Sequence, residues 1–195
     1  MSKGETTRQA ILEHALGLSS VIGLEGLTIG KLADDLELSK SGLFAHFRSK
    51  EALQIQVLQH AGSLFIDAVI KPALAVPRGE ARVRALFNKW LEWPTAIPLP
   101  GGCVFVQAAA ELDDRPGPVR DLLVRLQRDW LEVIANTVRT AIAEGDFRRD
   151  VDPEQFAQDL YGVMLAYHHA ARLLRDPRAM SRAWHAFAAL VFAAV

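Results

Sequence analysis

Between Lys40 and Lys50 the chain places three cations, Lys40, Arg48 and Lys50, and no acid. Such a cluster is suited to phosphate, and Ser41, Gly42, Ala45 and His46 between the cations are small or hydrogen-bonding, so a backbone carrying them can approach base edges closely. Two other groups could do chemistry of a different kind. Cys103 follows Gly101 and Gly102 at a helix start, where the dipole lowers a thiol pKa, but its neighbours Val104, Phe105 and Val106 point to a buried, inert thiol, and no base can be identified for it. His168 and His169 are adjacent, so on a helix they point ~100° apart and are poorly placed to hold one metal ion together. Asp113, Asp114, Asp150 and Asp152 lie where helices begin and end, which accounts for them electrostatically. Neither a catalytic site nor a metal or cofactor site is expected.

The whole chain puts limits on the phosphate reading. Its 195 residues are 50% hydrophobic and 23% charged, within the range of a folded globular protein, and 22 Lys and Arg against 23 Asp and Glu leave a net charge of -1. A chain so balanced does not bind nucleic acid by being basic throughout, and any such site must be local. With one cysteine there is no internal disulfide, which suits a reducing cytoplasm. The polar start from Met1 to Arg8 lacks an apolar signal segment. The apolar runs near the C-terminus are broken by Arg182 and His185, short of the ~20 residues a membrane span needs, so no membrane partner is expected and the localisation expected is cytoplasmic.

Apolar residues recur at helical spacing almost throughout, predicting an all-α fold. Thr6, with Gln9 three residues on, reads as the capping box of a first helix that ends at Gly23. Thr28 caps a second, Ser39 a third carrying Leu43 and Phe47, and Ser49 a fourth that runs to about Ile70 before Pro72. Two short helices joined around Glu37 describe a helix-turn-helix, whose second helix lies in the major groove of DNA. A helix through Phe87 and Trp90 is followed by Pro94 to Gly102, whose breakers predict a loop. Further helices run from Cys103 to Leu112, from Pro116 or Pro118 to Glu144, from Pro153 to Leu174, and from Pro177 onward. This gives an N-terminal three-helix unit, residues 1–48, followed by a larger helical unit, residues 49–195.

The run Gly26-Leu27-Thr28-Ile29, Leu32-Ala33, Leu36, Leu38-Ser39-Lys40, Leu43-Phe44, His46-Phe47 and Ser49-Lys50-Glu51-Ala52-Leu53 resembles the DNA-binding domain of the TetR/AcrR family of bacterial repressors. The motif spans about residues 6–55, and the remainder is similar only in architecture. The resemblance implies double-stranded operator DNA as a partner. It implies that Thr28 and Lys50 hold phosphates, that Ser39 starts the reading helix, and that Lys40, Ser41, Gly42 and His46 face the groove. Two positions depart from the family pattern: Glu37 stands where a glycine is common, and Phe44 where a tyrosine is common, so Phe44 offers packing against the sugar-phosphate backbone without a hydroxyl.

The same resemblance implies a homodimer through the last two helices and a small-molecule effector in the C-terminal unit. Ala183 to Val195 holds one plainly polar side chain, His185, which fits a helix covered by a partner. Phe87, Trp90, Trp93, Phe105, Gln107, Trp130, Tyr161 and His168 are the candidate pocket residues, a set suited to a largely apolar ligand. The function expected is a repressor released by that ligand. A constitutive repressor or activator without ligand is the alternative, and an all-α enzyme using Cys103 is a more distant one.

Overall fold

The computed structural model describes the backbone of residues 3–195 and the side chains from residue 7 onward. All regular structure among them is helical. Helix α1 (Lys3–Ile22) buries Ile11, Leu12, Ala15, Leu16, Ser19 and Ser20, a stripe repeating every four residues. It begins before Thr6, which therefore does not cap it; the side chain of Thr6 lies outside the described residues. Helices α2 (Ile29–Asp35) and α3 (Lys40–Phe47) pack on each other. The hydroxyls of Thr28, Ser39 and Ser49 accept the backbone N–H groups of Lys31, Gly42 and Ala52 at 3.0 to 3.1 Å, so each of α2, α3 and α4 (Lys50–Phe65) starts at the residue expected to cap it.

The turn between α2 and α3 holds Glu37 at φ +54°. An L residue with a Cβ is strained in this left-handed region by about 1 kcal/mol, and glycine is not. Glu37→Gly is therefore expected to stabilise the protein by about that amount, read as a higher urea midpoint at unchanged slope.

Beyond α4 two proline expectations are corrected. The chain widens into one π-helical turn, Ile66–Ile70, and continues helically as α5 (Lys71–Ala75), with Pro72 directly after the widened turn. Pro94 does not open a loop either, because α6 (Glu80–Ala96) runs through it. The proline falls in the last turn, where it removes a single helical bond, and the buried Trp90 and Trp93 before it hold the turn by packing. There follow α7 (Val104–Leu112), α8 (Pro118–Glu144), α9 (Pro153–Arg172) and α10 (Ala179–Ala194). Pro118 and Pro153 each occupy a first helical position, and Asp152 caps α9 by accepting from Glu154 and Gln155. Helix α9 ends at Arg172, two residues before the expected Leu174, and α10 starts at Ala179, two after Pro177.

Two compact units result: Met1–Leu64 with Ile97–Leu126, and Phe65–Ala96 with Gln127–Val195. The first joins α7 to the N-terminal helices. Its closest joint is at Gly101, whose N–H donates to Ser20 Oγ at 3.0 Å and where a Cβ would fall 1.3 Å from the Ser20 carbonyl oxygen. Within the second unit α9 packs on α10 and on α6.

Candidate nucleic-acid interface

Helix α3 is held by two buried side chains, Leu43 and Phe47. Lys40, Ser41, Gly42, Phe44, Ala45 and His46 are all exposed. A helix of eight residues that buries only two of them offers most of its surface to an outside partner. Phe44 is 56% exposed, and an aromatic ring so placed is an apolar contact awaiting a surface. Exposed Leu38, in the turn before α3, adds to it.

The backbone-contacting candidates sit beside this helix. Ser39 spends its acceptor on the cap, and so does Thr28, whose hydroxyl hydrogen stays available to an external oxygen. Lys40 lies over the start of α2, its Nζ within 3.9 Å of where a Gly30 Cβ would be. Two cations therefore stand near the N-terminus of α2 and its unsatisfied N–H groups, if Lys31 in its first turn is counted with Lys40.

Lys50 already has a partner within the protein. Its Nζ lies 3.3 Å from Glu25 Oε2, and Arg115 Nη1 lies 2.8 Å from the same oxygen. Gln54 donates to Glu25 Oε1 at 3.2 Å and to the Leu24 carbonyl at 2.8 Å, while the Glu25 N–H donates to Glu111 Oε2 at 2.9 Å. Burial alone would raise the Glu25 carboxyl pKa, but the hydrogen bonds from Lys50 and Gln54 and the charges of Lys50 and Arg115 together hold it below its ordinary value. Glu25, Gln54, Glu111 and Arg115 escape a reading of the sequence because nothing periodic links residues so far apart along the chain.

The effector candidates divide between the two units. In the first, Phe105 is buried and Gln107 donates to the Gly101 carbonyl at 2.6 Å, closing the loop before α7. Cys103 is buried at the start of the same helix. In the second, Phe87 stacks on Phe187 at 4.2 Å and meets Trp184 edge-on at 5.0 Å. Trp93 and Trp130 both pack edge-on against Phe65. Trp90 lies 6.4 Å from the ring of Tyr167, and Tyr161 donates to Gln127 Oε1 at 2.7 Å. Burial first, and then the charges of Arg172 and His169, hold the His168 imidazole below its ordinary pKa. Its Nε2, like Trp130 Nε1, is buried without a hydrogen-bond partner. Among the described residues no three His, Cys, Asp or Glu side chains are grouped to hold a metal ion, and no helix is long and apolar enough to cross a membrane.

Residues 11–57 match the family described as bacterial regulatory proteins, tetR family, and residues 79–187 match the tetracyclin repressor-like C-terminal domain. The chain belongs to the TetR family. It is a DNA-binding transcriptional regulator with an N-terminal helix-turn-helix, and the eight candidate DNA residues fall inside the first match, the eight effector candidates inside the second. It is 27% identical over 157 residues, covering 78% of this chain and 76% of the relative, to the HTH-type transcriptional repressor DhaR of Mycobacterium sp. (strain GP1). The crystal structure of a TetR transcriptional regulator from Chloroflexus aurantiacus superimposes with a TM-score of 0.85 at 27% identity, over 98% of this chain and 96% of that one. A regulator from Saccharomonospora viridis, solved in complex with choline, gives 0.77 at 25% identity, over 95% and 94%.

Proposed function

We propose that this TetR-family protein is a homodimeric repressor that sets α3 into the major groove of its operator and leaves it when a largely apolar effector binds. The observation that carries this is the surface of α3, with six exposed residues facing outward from two buried anchors. In this reading Lys40, Ser41, Gly42 and His46 meet the groove, Thr28 and Lys50 hold phosphates, and Phe44 packs on the sugar-phosphate backbone. Residues 1–48, with Lys50 just beyond them, supply the DNA contacts, and residues 49–195 the effector site and the dimer. The similarity to DhaR supports repression.

The dimer is supported by the outer faces of the last two helices. Leu165, Trp184, Phe192 and Val195 are exposed large apolar residues there, a surface that a second copy would cover. For the effector, the choline complex of a relative supports a small ligand in this fold. The buried Trp130 Nε1 and His168 Nε2 are groups that an effector's polar atoms would satisfy. The effector is bound and released unchanged, and the protein works in the cytoplasm. Release requires the effector to favour the DNA-incompetent state, with a coupling of roughly 1 to 3 kcal/mol weakening the operator about 5- to 150-fold.

The test is a titration of a duplex selected from random sequence by the wild-type protein, repeated across salt concentrations. Lys50→Ala is expected to weaken binding to all sequences and lower the salt slope by about one. Phe44→Tyr is expected to bind as well or tighter, by at most ~1 kcal/mol for one added hydrogen bond. Unchanged affinity and slope in Lys50→Ala would contradict the phosphate role.

A further inference from the structure

The loop 113–117 between α7 and α8 brings Arg115 to the Glu25 carboxylate that also holds Lys50, all three within one compact unit. Glu25 itself is fixed, since its N–H is held by Glu111 and its other carboxylate oxygen by Gln54. Lys50 thus faces two acceptors in turn, the carboxylate when the protein is alone and a phosphate when it is on DNA. A carboxylate paired only with Lys50 would be stranded each time Lys50 left for the phosphate. A carboxylate that keeps a second cation loses less, and attracts Lys50 less in the first place. Arg115 is poorly placed to bind phosphate itself, because Asp113 and Asp114 precede it directly and make its loop net negative.

We propose that Arg115 is a positioning residue for operator binding: by holding Glu25, it leaves Lys50 available to a DNA phosphate without touching the duplex. The proposal rests on the reading of Lys50 as a phosphate-binding residue. Glu25 is then an internal competitor for Lys50, and Arg115 tempers that competition.

The experiment is a double-mutant cycle on the wild-type-selected duplex, with the salt slope measured for each protein. Arg115→Gln is expected to weaken binding about two- to fivefold, the range of one half-exposed ion pair, at an unchanged salt slope. Arg115→Lys, which restores the charge, is expected to bind nearly as the wild type. Glu25→Gln is expected to bind tighter than the wild type, and in that background Arg115→Gln should have no further effect. A loss in Arg115→Gln that persists undiminished with Glu25→Gln, together with a slope lowered by about one, would make Arg115 a direct phosphate contact and overturn the proposal. No loss in either background would overturn it too, leaving an idle surface pair. Lys50→Ala, run in the same series, separates the two levels: if it changes neither affinity nor slope, the phosphate reading of Lys50 fails, and this proposal with it.

Discussion

In the proposed homodimer, Phe192→Glu is expected to separate the two copies and, with that, to abolish operator binding. Phe192 is 85% exposed on the outer face of α10, where it makes little contact within its own chain. The monomer therefore loses almost nothing when the ring is replaced. In a two-fold interface the ring is covered twice, and burying a phenylalanine contributes about 1.5 to 3 kcal/mol, or roughly 3 to 6 kcal/mol for the pair. The dimer dissociation constant should rise by at least about two orders of magnitude, and more where a glutamate meets the apolar residues of the partner. Two half-sites bound by one dimer then become two weak independent contacts. Sedimentation should show a monomer at micromolar concentration with an unchanged helical circular dichroism spectrum. A variant that stayed dimeric would place the interface elsewhere.

Phe47→Ala is expected to cost about 3 to 5 kcal/mol, the usual effect of emptying a buried aromatic site. Phe47 is 1% exposed and is one of the two side chains by which α3 is attached. The loss falls on the short helices α2 and α3, which have little other apolar burial to hold them. DNA binding should disappear while the dimer persists, and amides of α2 and α3 should exchange with deuterium far faster than those of α9. His46→Ala, one residue away but exposed, should change stability by less than about 0.5 kcal/mol. Equal destabilisation by the two substitutions would contradict the placement of α3.

Much of this architecture was legible in the sequence because its causes are local. Thr28, Ser39, Ser49 and Asp152 cap the helices that follow them, since a cap depends only on a side chain and the N–H groups two or three residues on. The prolines were harder. Pro118 and Pro153 start helices as expected, whereas Pro72 follows directly on a π-helical turn and Pro94 falls in the last turn of α6, where packing of Trp90 and Trp93 outweighs one missing backbone bond. The exposed face of α3 could be read from its motif. The charge network behind Lys50 could not, since Glu25 and Arg115 reach it from distant points of the chain. Aromatic content likewise named the apolar helices without showing which rings pack on one another, as Phe87 does on Phe187 and Trp184.

Whether the exposed face of α3 reads the major groove is decided by methylation interference on the wild-type-selected duplex. Guanine N7 lies in the major groove, so a methyl group there blocks a helix seated in it. Two symmetric clusters of interfering guanines are expected, one for each half-site, which fade at specific positions when Ser41→Ala and His46→Ala are combined. Interference confined to minor-groove adenine N3, or a pattern indifferent to both substitutions, would contradict it.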